Sequence, residues 1–314
     1  MSVGLLMNNM AGCAIVTGAG GFLGKRLVKL LDSMDVCVVT MGTSTAKHSF
    51  QHICLDDVAN HWSILGHLES LKTPPKWIFH LAGCTEGKDI YKVNYLWGKA
   101  ILDAVDALVD KPSVLLVGTA AEYGPQIKNR QSGYGCCISE ESTCSPVSEY
   151  GITKYLQTCY GLLVSNRQPV VVARPFNIIG TGMPLTLALG HFVAQAKSLP
   201  AVDSGFGRYI RTGPLHAVRD FVDVDTCSSV FVDLIKSPAA IGKVVNVCSG
   251  VGTSMRDVVK ILMKFLDPPV TLVEDSIENP LDDIFIGSVD RLRRFGINSG
   301  ICDLNRCIQD MLMS

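Results

Sequence analysis

The sequence carries almost no excess charge of either sign: of 314 residues, 28 are Lys or Arg and 29 Asp or Glu, giving a formal net charge of −1. That balance excludes attachment to nucleic acid or to an anionic membrane surface through bulk positive charge. Charged residues are scarce at 18%, against 47% hydrophobic ones, so a disordered chain is excluded and a large packed core is expected. No apolar run reaches the roughly 18 residues of a spanning helix, and the first residues lack a basic segment followed by an apolar stretch. The twelve cysteines form no Cys-x-x-C pair and no zinc-type spacing with His, so no metal site is expected and reduced thiols in a cytoplasmic protein are the simplest reading. The adjacent Cys136 and Cys137 suit neither chelation nor an ordinary disulfide and read as inert thiols. There is also no internal repeat and no low-complexity tract.

What is present is alternation. Short apolar runs begin at Cys13, Val36, Trp77, Ser113 and Pro169, each continuously hydrophobic as in a strand covered on both faces. Between them, residues 22–34, 61–71, 89–109 and 149–164 have helical length. This pattern predicts an α/β fold, a Rossmann-like doubly wound parallel sheet, with a smaller α/β lobe built from later segments. The expected division is residues 10–174 with 217–248 for the main domain, and 175–216 with 249–314 for the smaller lobe.

Directly after the first strand, Thr17–Gly24 reads TGAGGFLG and opens a helix. Gly18 permits a tight turn, Gly21 lets the backbone approach a pyrophosphate, and Gly24 allows helix and strand to pack closely. Phosphates would meet the helix N-terminus at Phe22 and Leu23; a merely structural turn is the alternative. At the end of the second strand, where an acid would grip a ribose hydroxyl, stand Thr40, Met41, Thr43 and Ser44. With Lys47 nearby, this favours NADPH and leaves NADH possible. Asp56 is placed either to meet the adenine or to cap a helix.

Tyr150 and Lys154 stand four residues apart in a helical segment, on one face. A phenol ionises near pH ~10 and is a poor base at neutrality, but a neighbouring ammonium favours its ionised form. The pair arises often by chance, so an exposed helical pair is the alternative. Thr119, at the carboxyl end of the fourth apolar run, supplies a hydroxyl where open α/β sheets bind ligands. Glu140 and Glu141 read as a cap or solvated loop, and His191 and His216 as weaker candidates near the sugar site.

Taken together, TGAGGFLG, HLAG (80–83), Asn94 in YKVN, VGTAAEYG (117–124), YGITK (150–154), ARPFNIIGTG (173–182), VRDFVDV (218–224) and NVCSG (246–250) resemble the extended short-chain dehydrogenases/reductases, in the branch of NAD-dependent epimerases and dehydratases. The resemblance spans nearly the whole chain. It implies Thr119, Tyr150 and Lys154 as the catalytic triad, with Lys154 and Tyr150 also touching the cofactor beside Leu81, Ala82 and Gly83. It implies Ala121, Glu122, Asn177 and Arg219 as substrate residues, and Asn94 as a brace. Dehydratases of this family carry an acid two residues before the motif Tyr; here Ala121 follows Ala120, and neither methyl transfers a proton. That leaves 4-reduction or 4-epimerisation of a nucleotide-linked sugar; the motifs most resemble the GDP-4-keto-6-deoxymannose reductases, which implies reduction at C4, with 4-epimerisation or a non-catalytic dinucleotide-binding regulator as alternatives. Ile178 after RPFN and Asn279–Asp282 in place of an Arg-Pro-x-Asp motif depart from the family pattern, and Arg208 or Arg211 is placed to compensate. The family's dimer-forming helices match residues 94–109 and 149–164, implying a homodimer.

Overall fold

The computed structural model describes residues 12–44, 49–125, 137–200, 207–275 and 284–314. Lys47, Cys136 and the Asn279–Asp282 segment lie outside the described residues. The chain begins with β1 (Cys13–Thr17), α1 (Phe22–Ser33), β2 (Cys37–Gly42), β3 (Gln51–Cys54), α2 (His61–Ser70) and β4 (Pro75–His80). A single π-helical turn, Lys92–Leu96, leads into α3 (Trp97–Asp106), followed by β5 (Ser113–Val117), a 3₁₀ turn (Ala120–Tyr123), α4 (Glu149–Val164) and β6 (Val170–Pro175). Then come β7 (Asn177–Ile179), α5 (Ala188–Lys197), β8 (Tyr209–Thr212), β9 (Val218–Asp223), α6 (Val224–Lys236) and β10 (Val244–Val247). The chain closes with β11 (Gly252–Ser254), α7 (Met255–Lys264), β12 (Thr271–Glu274), β13 (Ile284–Phe285), α8 (Asp290–Arg294) and α9 (Leu304–Met313).

Seven strands form one parallel sheet in the order β10-β6-β5-β4-β1-β2-β3. All five residues of β1 are buried, as are the last four of β5 and all six of β6, because helices cover both faces; the continuous apolar runs follow from that. The order reverses at β1, between β4 and β2, and the carboxyl ends of β1 and β4 flank this switch point, where open α/β sheets bind ligands. The Rossmann-like expectation is thereby met.

β3 is the strand the sequence pattern passes over. It pairs with β2 at the sheet edge, and only Ile53 of its four residues is buried, so it has no apolar run to announce it.

The chain clusters into two compact units: Met1–Gly118 with Ser148–Val172 and Leu234–Lys243, and Thr119–Val147 with Ala173–Asp233 and Val244–Ser314. The first unit holds the glycine-rich turn and α4. The second holds the Thr119 turn and two small sheets, one in the order β11-β9-β13 with β7 also pairing β9, the other β12 with β8. Among the described residues, no helix is long and apolar enough to cross a membrane.

Candidate active site

In the first unit, the turn after β1 is held by backbone proximity. Gly18 has φ +67°, and a Cβ there would stand 2.8 Å from the Ala82 nitrogen and 2.9 Å from the Leu81 carbonyl carbon. A Cβ on Gly24 would stand 2.1 Å from the Gly18 oxygen. These two glycines are demanded by the protein's own packing. Gly20 and Gly21 differ: both are exposed, nothing lies within 4 Å of a Cβ on Gly20, and a Cβ on Gly21 would meet only the Gly18 oxygen at 3.2 Å.

Gly21 is the N-cap of α1, with no side-chain cap bond and no acid in the first turn. The N–H groups of Phe22, Leu23 and Gly24 therefore meet neither a capping side chain nor an opposing carboxylate, and by helix geometry have no intrahelical partner. An open, positively polarised helix end behind a turn with glycines at 18, 20 and 21 fits the pyrophosphate of a dinucleotide. Beside it, the Ala82 amide donates to the Thr17 hydroxyl at 3.2 Å, and that hydroxyl bonds His80 Nδ1 at 2.8 Å. Burial first, and the Lys154 charge second, hold His80 well below its ordinary pKa, so the ring is neutral.

Thr40 takes a different place from the one expected. Its side chain is 1% exposed and bonds His52 Nδ1 at 2.8 Å and the Gln51 carbonyl at 3.3 Å. The hydroxyl therefore ties β2 to β3 and is not presented to a ribose. Thr43 and Ser44, just beyond β2, are exposed, as is Asp56 beyond β3.

Helix α4 begins at the N-cap Ser148, whose hydroxyl accepts the Gly151 amide proton at 3.0 Å, with Glu149 complementing the first turn. Tyr150 is half-buried, while Lys154, one turn on, is 2% exposed. The Lys154 ammonium donates to the Val117 carbonyl at 2.8 Å and approaches the Ala82 carbonyl at 3.4 Å. It passes Gly83, where a Cβ would meet its Nζ and Cε at 3.3 Å. The ammonium is thus fixed at the carboxyl ends of β4 and β5.

Asn94, fully buried in the π turn, braces the loop after β4. Its amide oxygen accepts the Cys84 N–H at 2.9 Å, and its nitrogen donates to the Cys84 carbonyl at 2.8 Å and to Thr153 Oγ1 at 3.0 Å. An added residue in a helix re-aims side chains, and π turns recur at functional sites for this reason. This is the backbone-bracing role expected of Asn94.

In the second unit, Thr119 caps the 3₁₀ turn. Its hydroxyl oxygen accepts the Ala121 amide proton at 3.2 Å, and its own amide donates to Glu122 Oε1 at 2.9 Å, a reciprocal capping box. Accepting one bond leaves the hydroxyl proton for donation.

Glu122, expected to touch substrate, does not face outward. It is fully buried, and its Oε2 accepts from Arg174 Nε at 2.8 Å and from the terminal Nη2 at 2.7 Å. Burial alone would pull the Arg174 pKa down, but the Glu122 carboxylate and Tyr123 outweigh it and push it up, so the guanidinium stays charged. Ala121 is partly exposed.

Asn177 donates to the Asp220 carbonyl at 2.8 Å, joining β7 to β9. Arg219 is partly buried, with one terminal nitrogen on the Val218 carbonyl at 3.1 Å. Its neighbour Asp220 is fully buried and accepts the amides of Ser249 (2.8 Å), Gly250 (2.9 Å) and Gly287 (3.2 Å). Burial raises its pKa and these donors oppose the rise. No spacing in the sequence signals this acid as the organiser of two loops, one after β10 and one after β13. Glu140, read as a cap or part of a solvated loop, has an enclosed side chain that accepts the Asn246 backbone amide at 2.8 Å, and burial raises its pKa; Glu141 pairs with Arg291. Of the weaker candidates, His191, His216 and Arg211 are exposed and Arg208 is partly buried.

Known proteins resemble the chain over most of its length. Residues 14–248 match the NAD dependent epimerase/dehydratase family. The chain is 28% identical over 279 residues to a GDP-6-deoxy-D-talose 4-dehydrogenase of Aggregatibacter actinomycetemcomitans, covering 86% of this chain and 85% of that one. It is 24% identical over 270 residues to a GDP-6-deoxy-D-mannose reductase of Pseudomonas aeruginosa, covering 83% and 82%. In structure it superposes on RMD from Pseudomonas aeruginosa, solved with NADPH, with TM-score 0.77 and 23% identity over 97% of each chain. The chain belongs to the NAD dependent epimerase/dehydratase family and is an NAD(P)-dependent oxidoreductase or epimerase.

Proposed function

We propose that this protein reduces the C4 keto group of a nucleotide-activated 6-deoxy sugar, of the GDP-4-keto-6-deoxymannose type. The observation that carries the reading is the Tyr150–Lys154 pair on α4, with its ammonium held in place, in a chain that has Ala121 where a dehydratase carries its acid. Both relatives are named for a GDP-linked 6-deoxy sugar, which supports the nucleotide and the sugar class, and the talose enzyme is named a 4-dehydrogenase, which supports the carbon.

A bound nicotinamide dinucleotide supplies the hydride. The chain's own residues handle the oxygen. Tyr150 gives its phenolic proton to the alkoxide that develops at C4, and Lys154 stabilises the phenolate left behind. Thr119 donates its hydroxyl proton to the same oxygen, and Ala121 leaves no group to pull a proton from C5. Asn177 and Arg219 contact the sugar and the diphosphate, the Arg through planar paired donors. NADPH is the favoured dinucleotide, because no acid stands at the end of β2 to select a free ribose hydroxyl.

Mixing the protein with NADPH or NADH and GDP-4-keto-6-deoxymannose is expected to consume the reduced nicotinamide stoichiometrically. NMR of the product then reports the configuration at C4. Interconversion of 4-hydroxy sugars without net cofactor consumption would identify an epimerase instead, and cofactor binding with no turnover of any sugar a regulator.

A homodimer is part of the proposal. On α4, Ile152 (46% exposed), Leu156 (39%) and Leu163 (69%) recur with Cys159 at spacings of four, three and four, an apolar stripe on the outward face. Sedimentation at micromolar concentration is expected to give a two-chain mass; a single-chain mass would remove the dimer.

A further inference from the structure

The turn that carries Thr119 is fixed from behind by a closed polar chain within the second unit. One oxygen of Glu122 receives the Thr119 amide proton, and the other receives two donors of Arg174. Glu122 is 0% and Arg174 2% exposed. The Arg174 guanidinium lies 4.7 Å from the ring centroid of Tyr123, one residue after Glu122. The Tyr123 hydroxyl donates to Asn246 Oδ1 at 2.7 Å, and the Asn246 amide nitrogen donates to the Ile138 carbonyl at 2.9 Å. Every member is enclosed and partnered.

A buried ion pair of this kind is a poor source of stability. The desolvation of two charges offsets most of their attraction, and well-packed apolar residues of similar volume often serve the fold as well or better. What an apolar pair cannot supply is a charged acceptor aimed at one particular amide. That amide belongs to the residue whose hydroxyl orientation matters for the reaction.

We propose that Glu122 and Arg174 are positioning residues for Thr119: the guanidinium fixes the carboxylate, the carboxylate fixes the Thr119 backbone, and the Thr119 hydroxyl is thereby aimed at the reacting oxygen. The inference rests on Thr119 acting at that oxygen.

The test uses the full-length protein, NADPH and GDP-4-keto-6-deoxymannose, or whichever 4-keto nucleotide sugar it reduces. Glu122→Met combined with Arg174→Met removes both charges, leaving neither buried alone. This double variant is expected to melt near the wild-type temperature, to keep KM and the NADPH dissociation constant within about threefold, and to lose about 10- to 100-fold in kcat, as expected for a catalytic group displaced by a fraction of an ångström. A role confined to the fold would leave kcat per folded molecule unchanged, and that result overturns the proposal.

Thr119→Val separates the two claims. It is expected to lower kcat by a similar factor, and adding it to the double variant should cost little more, because the residues act as one unit. If Thr119→Val has wild-type kcat, the site reading fails; if only the double variant has wild-type kcat, the positioning role alone fails. Should the double variant not fold, the Thr119 amide in nitrogen-labelled wild-type protein decides. A downfield, exchange-protected proton is expected, and fast exchange overturns the proposal.

Discussion

Tyr150→Phe is expected to lower kcat by roughly 10²- to 10⁴-fold, the contribution typical of a positioned acid, with the NADPH dissociation constant nearly unchanged. Phe keeps the ring and removes only the proton donor. Tyr150 is half-buried in the first turn of α4, where Ser148 supplies the cap through Gly151, so helix formation does not depend on the phenol. Steady-state kinetics beside a fluorescence titration with NADPH separates the two effects. Wild-type turnover would eliminate the phenol as proton donor, whatever the fold.

The second large effect is expected at the glycine turn and divides between its members. Gly24→Ala places a methyl 2.1 Å from the Gly18 oxygen and 2.8 Å from Ala19 Cα, both backbone atoms that cannot move aside. A loss of about 3 kcal/mol is expected from that overlap, measured by urea unfolding, together with loss of dinucleotide binding. Gly21→Ala meets one oxygen at 3.2 Å, and its φ of −76° suits any residue. Stability is expected to change by less than about 1 kcal/mol. The same methyl stands at the open end of α1, so NADPH should bind about tenfold or more weakly, a change of about 1.4 kcal/mol. Calorimetry showing undiminished affinity in Gly21→Ala would place the phosphates elsewhere.

The strands at the centre of the sheet are legible in the sequence because both of their faces are covered. Ala14–Val16 and Val170–Ala173 have no solvent side to require a polar residue. The bounds of helix α4 match the helical segment 149–164 to the residue, because helical periodicity is a local signal. Information carried by distant partners is not legible. QHIC has one buried residue, so β3 is silent, and with β3 unseen nothing shows that His52 will occupy the Thr40 hydroxyl.

Glu122 fails for the same reason at longer range. Its place in VGTAAEYG resembles that of a substrate residue, but its partner Arg174 lies 52 positions later and reaches it only once the chain has folded. The π turn at Lys92–Leu96 is equally hidden, since an apolar period fixes a helix without reporting one surplus residue. The sequence leaves Glu140 open between a cap and a solvated loop because the amide it accepts belongs to β10, a strand more than a hundred residues away.

The enclosed Glu122–Arg174 pair also constrains how this sequence can drift. Losing either partner alone strands the other charge in the interior, a defect of roughly 3–5 kcal/mol, comparable to much of a domain's total stability. Neutral wandering at position 122 is therefore closed while Arg174 remains, and the reverse holds equally. Lineages descended from this chain should retain both residues or have exchanged both together, so the two columns ought to covary as one character.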